Sequence, residues 1–316
     1  MKRLLRPVGL VLGLVATAAF VWYAARVLQA QDLSRFASAR GVAAVALAAL
    51  CYATIIPTSA FAWGTLLRGV SAPHPRRSLM EILAISQFAK YIPGNVGAHL
   101  GRAGMALARG VAPRALLSSL MTETGLAVAA ALLTGAAGMA LSGVGPDIFH
   151  DDGPLGHGLA TATWLLAAVL LCTLAFKFGM RLVPEAQRTR LGAQFDLAPW
   201  PAALRALAAY SLNYVLIGVG LWGMACVLLP GQAHDLGLLI AAFALAWVAG
   251  FFAPGAPAGL GIREALMLLV LRAAYPAPDA LLLVVGMRLA TIFADVAIFL
   301  AGNAAVLHSR RRTASP

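Results

Sequence analysis

Long apolar stretches separated by short basic or turn-forming segments set the pattern of this chain. Six of them, at about 8–25, 41–67, 115–141, 159–178, 203–229 and 280–307, read as helices. Each holds roughly the ~18 or more predominantly apolar residues that a bilayer-crossing helix needs. Two further apolar stretches, at about 78–110 and 237–273, are broken in the middle. The first carries Pro93-Gly94 and then Gly97; the second carries Pro254-Gly255 and then Gly259 and Gly261. Proline removes a backbone donor and stops a helix, and glycine permits a tight reversal. A broken helix survives at membrane depth only inside protein or along a polar cavity, because lipid satisfies no backbone group. Each break therefore predicts a re-entrant hairpin of two half-helices.

The two breaks share a plan. An arginine follows each proline by nine residues, Arg102 after Pro93 and Arg263 after Pro254. Displacing the first half by 161 positions lays Pro93 on Pro254 and brings the spans at 41–67 and 115–141 onto those at 203–229 and 280–307. The expected fold is an all-α polytopic membrane protein, a single membrane domain over residues 1–316. Residues 1–150 form one repeat and 151–316 a second, each of three transmembrane helices plus one hairpin. Because each half crosses an odd number of times, the second repeat is inverted relative to the first. Paired interrupted segments of this kind point to a transporter's binding site.

Charge sets orientation. With the N-terminus inside, the inner segments (1–7, 68–77, 177–190 and 310–312) hold 13 Lys and Arg residues and the outer segments hold 4. Both termini are therefore expected in the cytoplasm. Arg26, Arg35 and Arg40, in the first outer segment, run against the rule. The first apolar segment, preceded by Lys2, Arg3 and Arg6, reads as a span, although small residues at 16–19 also resemble a cleavage site.

Composition agrees with this class, at 61% hydrophobic and 11% charged residues. The net charge of +12 lies in short clusters between apolar runs, with no basic domain to engage nucleic acid. Cys51, Cys172 and Cys226 lie within apolar runs and read as small core residues. His150, Asp151, Asp152 and His157 have no recurring ligand spacing and read as a solvated loop, so neither metal nor cofactor is expected. The chain holds no Walker A loop, zinc-protease helix or nucleophile elbow, and is expected to be a transporter and not an enzyme.

The candidate chemistry lies in ionisable residues within membrane-grade sequence: Lys90, Arg102, Glu123, Arg263, Glu264 and Arg288, with Asp295 a further candidate. Each costs ~2.5–3.5 kcal/mol at a helix centre on insertion scales, so the set calls for partners, water or a ligand. Arg102 and Arg263, near half-helix N-termini, suit a phosphate or carboxylate. Arg288 and Asp295 stand two turns apart on one helical face, in position to pair. Lys90 either snorkels to an interface or joins the cavity, and Glu123 either balances an arginine or carries a proton.

These residues carry a resemblance. Lysine, Pro-Gly, glycines, Arg102, then Gly110-Val111 and a span bearing Glu123, together with the run PGAPAGLGIREAL and the later Arg288, resemble the flippase-like transmembrane region of the lysylphosphatidylglycerol synthase family. Asn95 and His99 stand where that family often has glycine. The resemblance implies a stand-alone member without the aminoacyl-transferring domain, so synthesis of lysyl lipid is not expected. It implies movement of a polar-headed lipid between leaflets of the bacterial inner membrane, with Arg102, Glu123, Arg263, Glu264 and Arg288 at motif positions. The expected partner is a lipid with an anionic or zwitterionic headgroup, its phosphate held by Arg102 and Arg263, with Lys90, Asn95 and His99 nearby. In this picture Glu123 and Glu264 balance the arginines when the site is empty. The alternative is a membrane-embedded enzyme, or an accessory subunit of a lipid-synthesising enzyme, acting on a polyprenyl-phosphate or glycolipid.

Overall fold

The computed structural model describes residues 30–70, 73–91, 97–142, 198–253 and 257–314. The expected spans at 8–25 and 159–178, the loop holding His150 and His157, and Pro93, Gly94, Asn95, Pro254 and Gly255 lie outside the described residues. Ten α-helices make up nearly all of what is described. They are α1 (Ala30–Ala37), α2 (Ala39–Ala53), α3 (Ile55–Val70), α4 (Arg76–Gln87), α5 (Gly97–Ala108), α6 (Pro113–Leu141), α7 (Trp200–Leu228), α8 (Leu236–Phe252), α9 (Ile262–Leu271) and α10 (Ala277–Ala314). Short 3-10 turns at Phe88–Tyr91 and Pro257–Gly259 flank the two breaks. Among the described residues there is no strand.

Four helical stretches are long and apolar enough to cross a membrane: Ala39–Val70, Pro113–Leu141, Trp200–Leu228 and Ala277–Ser309. They coincide with four of the spans expected from hydropathy. One differs in detail, because the expected continuous span at 41–67 is two helices, α2 and α3, interrupted at Thr54. The cause is in the sequence. Pro57 has no N–H to offer the Ala53 carbonyl four residues back, so the ladder opens one residue later. The Thr54 hydroxyl turns back to the Cys51 carbonyl at 2.6 Å, and the Thr58 hydroxyl to the Thr54 carbonyl at 2.6 Å.

Helix starts follow local chemistry. The Ser38 hydroxyl caps α2 by accepting from Gly41 N–H at 3.0 Å, and the Asp235 carboxylate caps α8 by accepting from Leu238 N–H at 2.7 Å. Pro113 opens α6, where its missing donor costs nothing.

The long helix α7 packs on α2, α3, α6 and α8, while α10 lies against α2, α4 and α9. Apolar attraction between helices is weak in lipid, so close contact relies on small residues. A methyl group on Gly138 of α6 would fall 2.4 Å from the Gly237 carbonyl of α8, and one on Gly218 of α7 would fall 2.3 Å from the Ile240 side chain. These glycines let α8, apolar on all sides, sink between α6 and α7. Beside the second break, the 3-10 turn at Pro257–Gly259 also comes close to α8. A side chain on Gly259 would meet the Gly250 Cα at 2.7 Å, and Gly259 also takes a left-handed φ of 69°. Neighbouring Ala258 has φ 52°, which costs a residue with a Cβ roughly 1–2 kcal/mol. The order of described elements (long span, short helix, break, short helix, long span) occurs twice, once in α2–α6 and once in α7–α10. The two 3-10 turns touch each other, which brings the described ends of the two helix–break–helix units together.

Candidate functional site

A cavity of about 250 Å³ opens beside the two 3-10 turns, and every described helix except α1 and α10 contributes to its wall. Lys90, His99, Arg102, Glu123 and Arg263 all line it. Five of the expected site residues thus converge from four separate elements. His99 is exposed, whereas Arg102 is only 6% accessible.

Three of the cations are compensated. Arg102 grips Glu123 with both prongs, Nη1 to Oε1 at 2.9 Å and Nη2 to Oε2 at 2.6 Å. Its guanidinium lies 3.8 Å from the ring centre of Trp63, whose indole N–H donates to the Ser119 hydroxyl at 3.1 Å. Charge, fork geometry and an aromatic floor therefore hold Arg102 in one pose. Of the two roles open to Glu123, balancing an arginine is the one the geometry takes.

Lys90, at the end of α4's 3-10 extension, sends its ammonium to Asp295 of α10 at 2.7–2.8 Å and to the Tyr52 hydroxyl at 2.8 Å. The Tyr91 hydroxyl donates to Oδ2 of Asp295 at 2.6 Å, an oxygen that Lys90 also reaches. Asp295 is fully buried, with a donor on each oxygen. The pairing of Asp295 with Arg288 expected from helical spacing is therefore not formed. Arg288 instead reaches Glu264 of α9 at 3.2 Å. Glu264 in turn accepts from Gly261 N–H at 2.6 Å, capping its own helix. This corrects the expectation that Glu264 balances Arg263. It also means that the first turn of α9 already has a carboxylate on one of its free N–H groups. Glu264 and Arg288 face a separate space of about 20 Å³, room for about one water, beside the larger cavity.

Arg263 is the exception. It has no ion pair among the described residues, and its buried Nε, like that of Arg102, has no hydrogen-bond partner among them. Gly250 makes space for it, since a methyl there would stand 3.2 Å from that Nε. Arg263 borders both the large cavity and the small one.

The remaining wall was not anticipated from charge. Tyr214 meets Trp247 edge-on at 5.6 Å between ring centres, and Trp247 stacks on Phe251 at 5.3 Å. Asn213 of α7 accepts from the Thr58 hydroxyl and donates to the Ser59 hydroxyl at 3.4 Å. Tyr52 and Ser59 enter the cavity from either side of the interruption at Thr54, so Pro57 was the overlooked signal. Among the expected turn residues, Gly97 begins α5, while Gly259 and Gly261 (φ 81°) shape the reversal before α9.

Long apolar helices around a cavity of paired charges and aromatic rings define a multi-pass membrane protein with a polar site buried among its helices. The chain belongs to the family described as the lysylphosphatidylglycerol synthase TM region, whose model matches residues 10–298. Membership gives it a membrane-lipid-related function. No curated protein matches the chain.

Proposed function

We propose that this protein is a translocator that carries a phosphate-bearing polar lipid between the leaflets of the bacterial inner membrane. In this reading the two helix–break–helix units are re-entrant hairpins entering from opposite sides, the halves are inverted repeats, and both termini face the cytoplasm. The headgroup occupies the cavity between the hairpins while the acyl tails stay in lipid. Rocking of one half against the other exposes the cavity to each side in turn.

The observation that carries this reading is Arg263, a permanently charged fork beside the cavity with no carboxylate among the described residues to answer it. An uncompensated charge at this depth is costly, and a lipid phosphate relieves that cost with charge-assisted hydrogen bonds. Arg102 and Lys90 add positive potential at the same wall while keeping their own partners. The chain acts as a transporter, with the lipid leaving chemically unchanged.

The test is leaflet exchange of tail-labelled phospholipids in proteoliposomes, comparing wild type with Arg263→Gln. A hydrogen bond to a charged group contributes about 1.5–3 kcal/mol, so exchange should fall roughly 10- to 100-fold. Wild-type exchange by a folded Arg263→Gln protein would remove Arg263 from the proposed role.

A further inference from the structure

The charges around the cavity do more than attract phosphate. Lys90 is matched by Asp295, Arg102 by Glu123 and Arg288 by Glu264, which leaves the described residues of the site with the single positive charge of Arg263. The two breaks, residues 92–96 and 254–256, contain no ionisable residue to alter that balance. Among the described residues, the one carboxylate on the cavity wall is Glu123, and both its oxygens are held by Arg102. We infer that the cavity selects a lipid whose headgroup is a phosphodiester monoanion with an uncharged, hydroxyl-bearing substituent, and discriminates against headgroups that carry an ammonium.

The physical reasoning is a balance of charge. A phosphodiester monoanion brings the buried site to neutrality. A zwitterionic headgroup adds no net charge, and its ammonium would leave water to meet, among the described residues, no free carboxylate and the unmatched like charge of Arg263. A hydroxyl-bearing substituent, in contrast, finds partners of its own kind. Asn213, Ser59, Gln87 and Thr124 line the wall with amide and hydroxyl groups beside the rings of Trp247 and Tyr214.

This selectivity rests on the translocation reading, and one experiment separates the two. The full chain is reconstituted into phosphatidylcholine vesicles with traces of tail-labelled phosphatidylglycerol or phosphatidylethanolamine, and exchange is followed by chemical quenching of the outer leaflet. The expected result is phosphatidylglycerol exchange about tenfold or more faster than phosphatidylethanolamine exchange, the ratio that ~1.4 kcal/mol of discrimination produces. Asn213→Asp, a near-isosteric change that retains the acceptor for Thr58, brings the site to net neutrality. It is expected to raise the phosphatidylethanolamine-to-phosphatidylglycerol ratio about tenfold.

Equal exchange of both lipids by wild type would overturn the inference and leave translocation standing. Exchange of neither would sink translocation, and retention of labelled lipid by the purified protein then decides selectivity. Preferential retention of phosphatidylglycerol upholds the inference, and equal retention of the two lipids overturns it. Uptake of labelled inorganic phosphate by the vesicles with neither lipid exchanged nor retained would assign the cavity to small free anions and overturn the lipid headgroup as its source.

Discussion

The Arg102–Glu123 pair gives the most quantitative test of the site. Arg102 and Glu123 side chains are 7% and 12% accessible, and the two bonds between them measure 2.9 and 2.6 Å. Replacing Glu123 by Gln keeps the volume but removes the charge. The Arg102 guanidinium stays pinned 3.8 Å from the Trp63 ring centre, since Trp63 is itself fully buried and bonded to Ser119. It cannot swing out to water. Breaking a buried pair by removing one partner costs about 3–5 kcal/mol, most of it the penalty on the charge left behind.

For a domain of this size that loss corresponds to roughly 6–10 °C in midpoint, taking about 2 °C per kcal/mol. Removing both charges at once, with Arg102→Gln and Glu123→Gln together, leaves no orphan. Its loss should fall short of the sum of the two single losses, by a coupling energy of about 1–3 kcal/mol. The assay is the fraction of monodisperse protein that survives heating in detergent, read by fluorescence size-exclusion chromatography for wild type, both single variants and the double. Strictly additive losses across the cycle would show that the two side chains act independently and would refute the pairing.

Two further outcomes follow from the same geometry. Arg263→Gln should leave thermal stability unchanged or raised, because no carboxylate loses a partner, whereas Arg288→Gln should lower it by about 3–5 kcal/mol by orphaning buried Glu264; the same heating assay ranks the two, and equal losses would contradict the unpaired state of Arg263. Gly259→Ala combines a strained positive φ with a contact of 2.7 Å to the Gly250 Cα, so it should cost roughly 2–4 kcal/mol and force the 3-10 turn away from α8. A matching Gly104→Ala control, where nothing lies within 4 Å, should be neutral or mildly stabilising in the same measurement.

Hydropathy and punctuation are properties of adjacent residues, and what depends on them was legible in the chain. The spans at α6, α7 and α10 and the short helices on either side of each break lie where apolar length and Pro-Gly placed them. Pro57 carried an equally local signal for the interruption at Thr54, which reading the span as one apolar run overlooked. The inventory of buried ionisable residues was also available, because a charge in membrane-grade sequence stands out in one dimension.

Which charge answers which was decided only in three dimensions. Arg288 and Asp295 share a helical face by spacing, yet each turns to a partner on another element, Glu264 on α9 and Lys90 some 205 positions earlier. Spacing along one helix says which side chains lie together, not which neighbouring helix offers the better acceptor. That choice depends on how closely α9, α10 and the 3-10 turn at Phe88–Tyr91 approach. The same packing isolates Arg263. Nothing in its local sequence separates it from Arg102, at the same distance from its own proline. The difference arises because α5 packs Arg102 against α6 and its Glu123, whereas the Glu264 beside Arg263 is turned to Gly261 and Arg288.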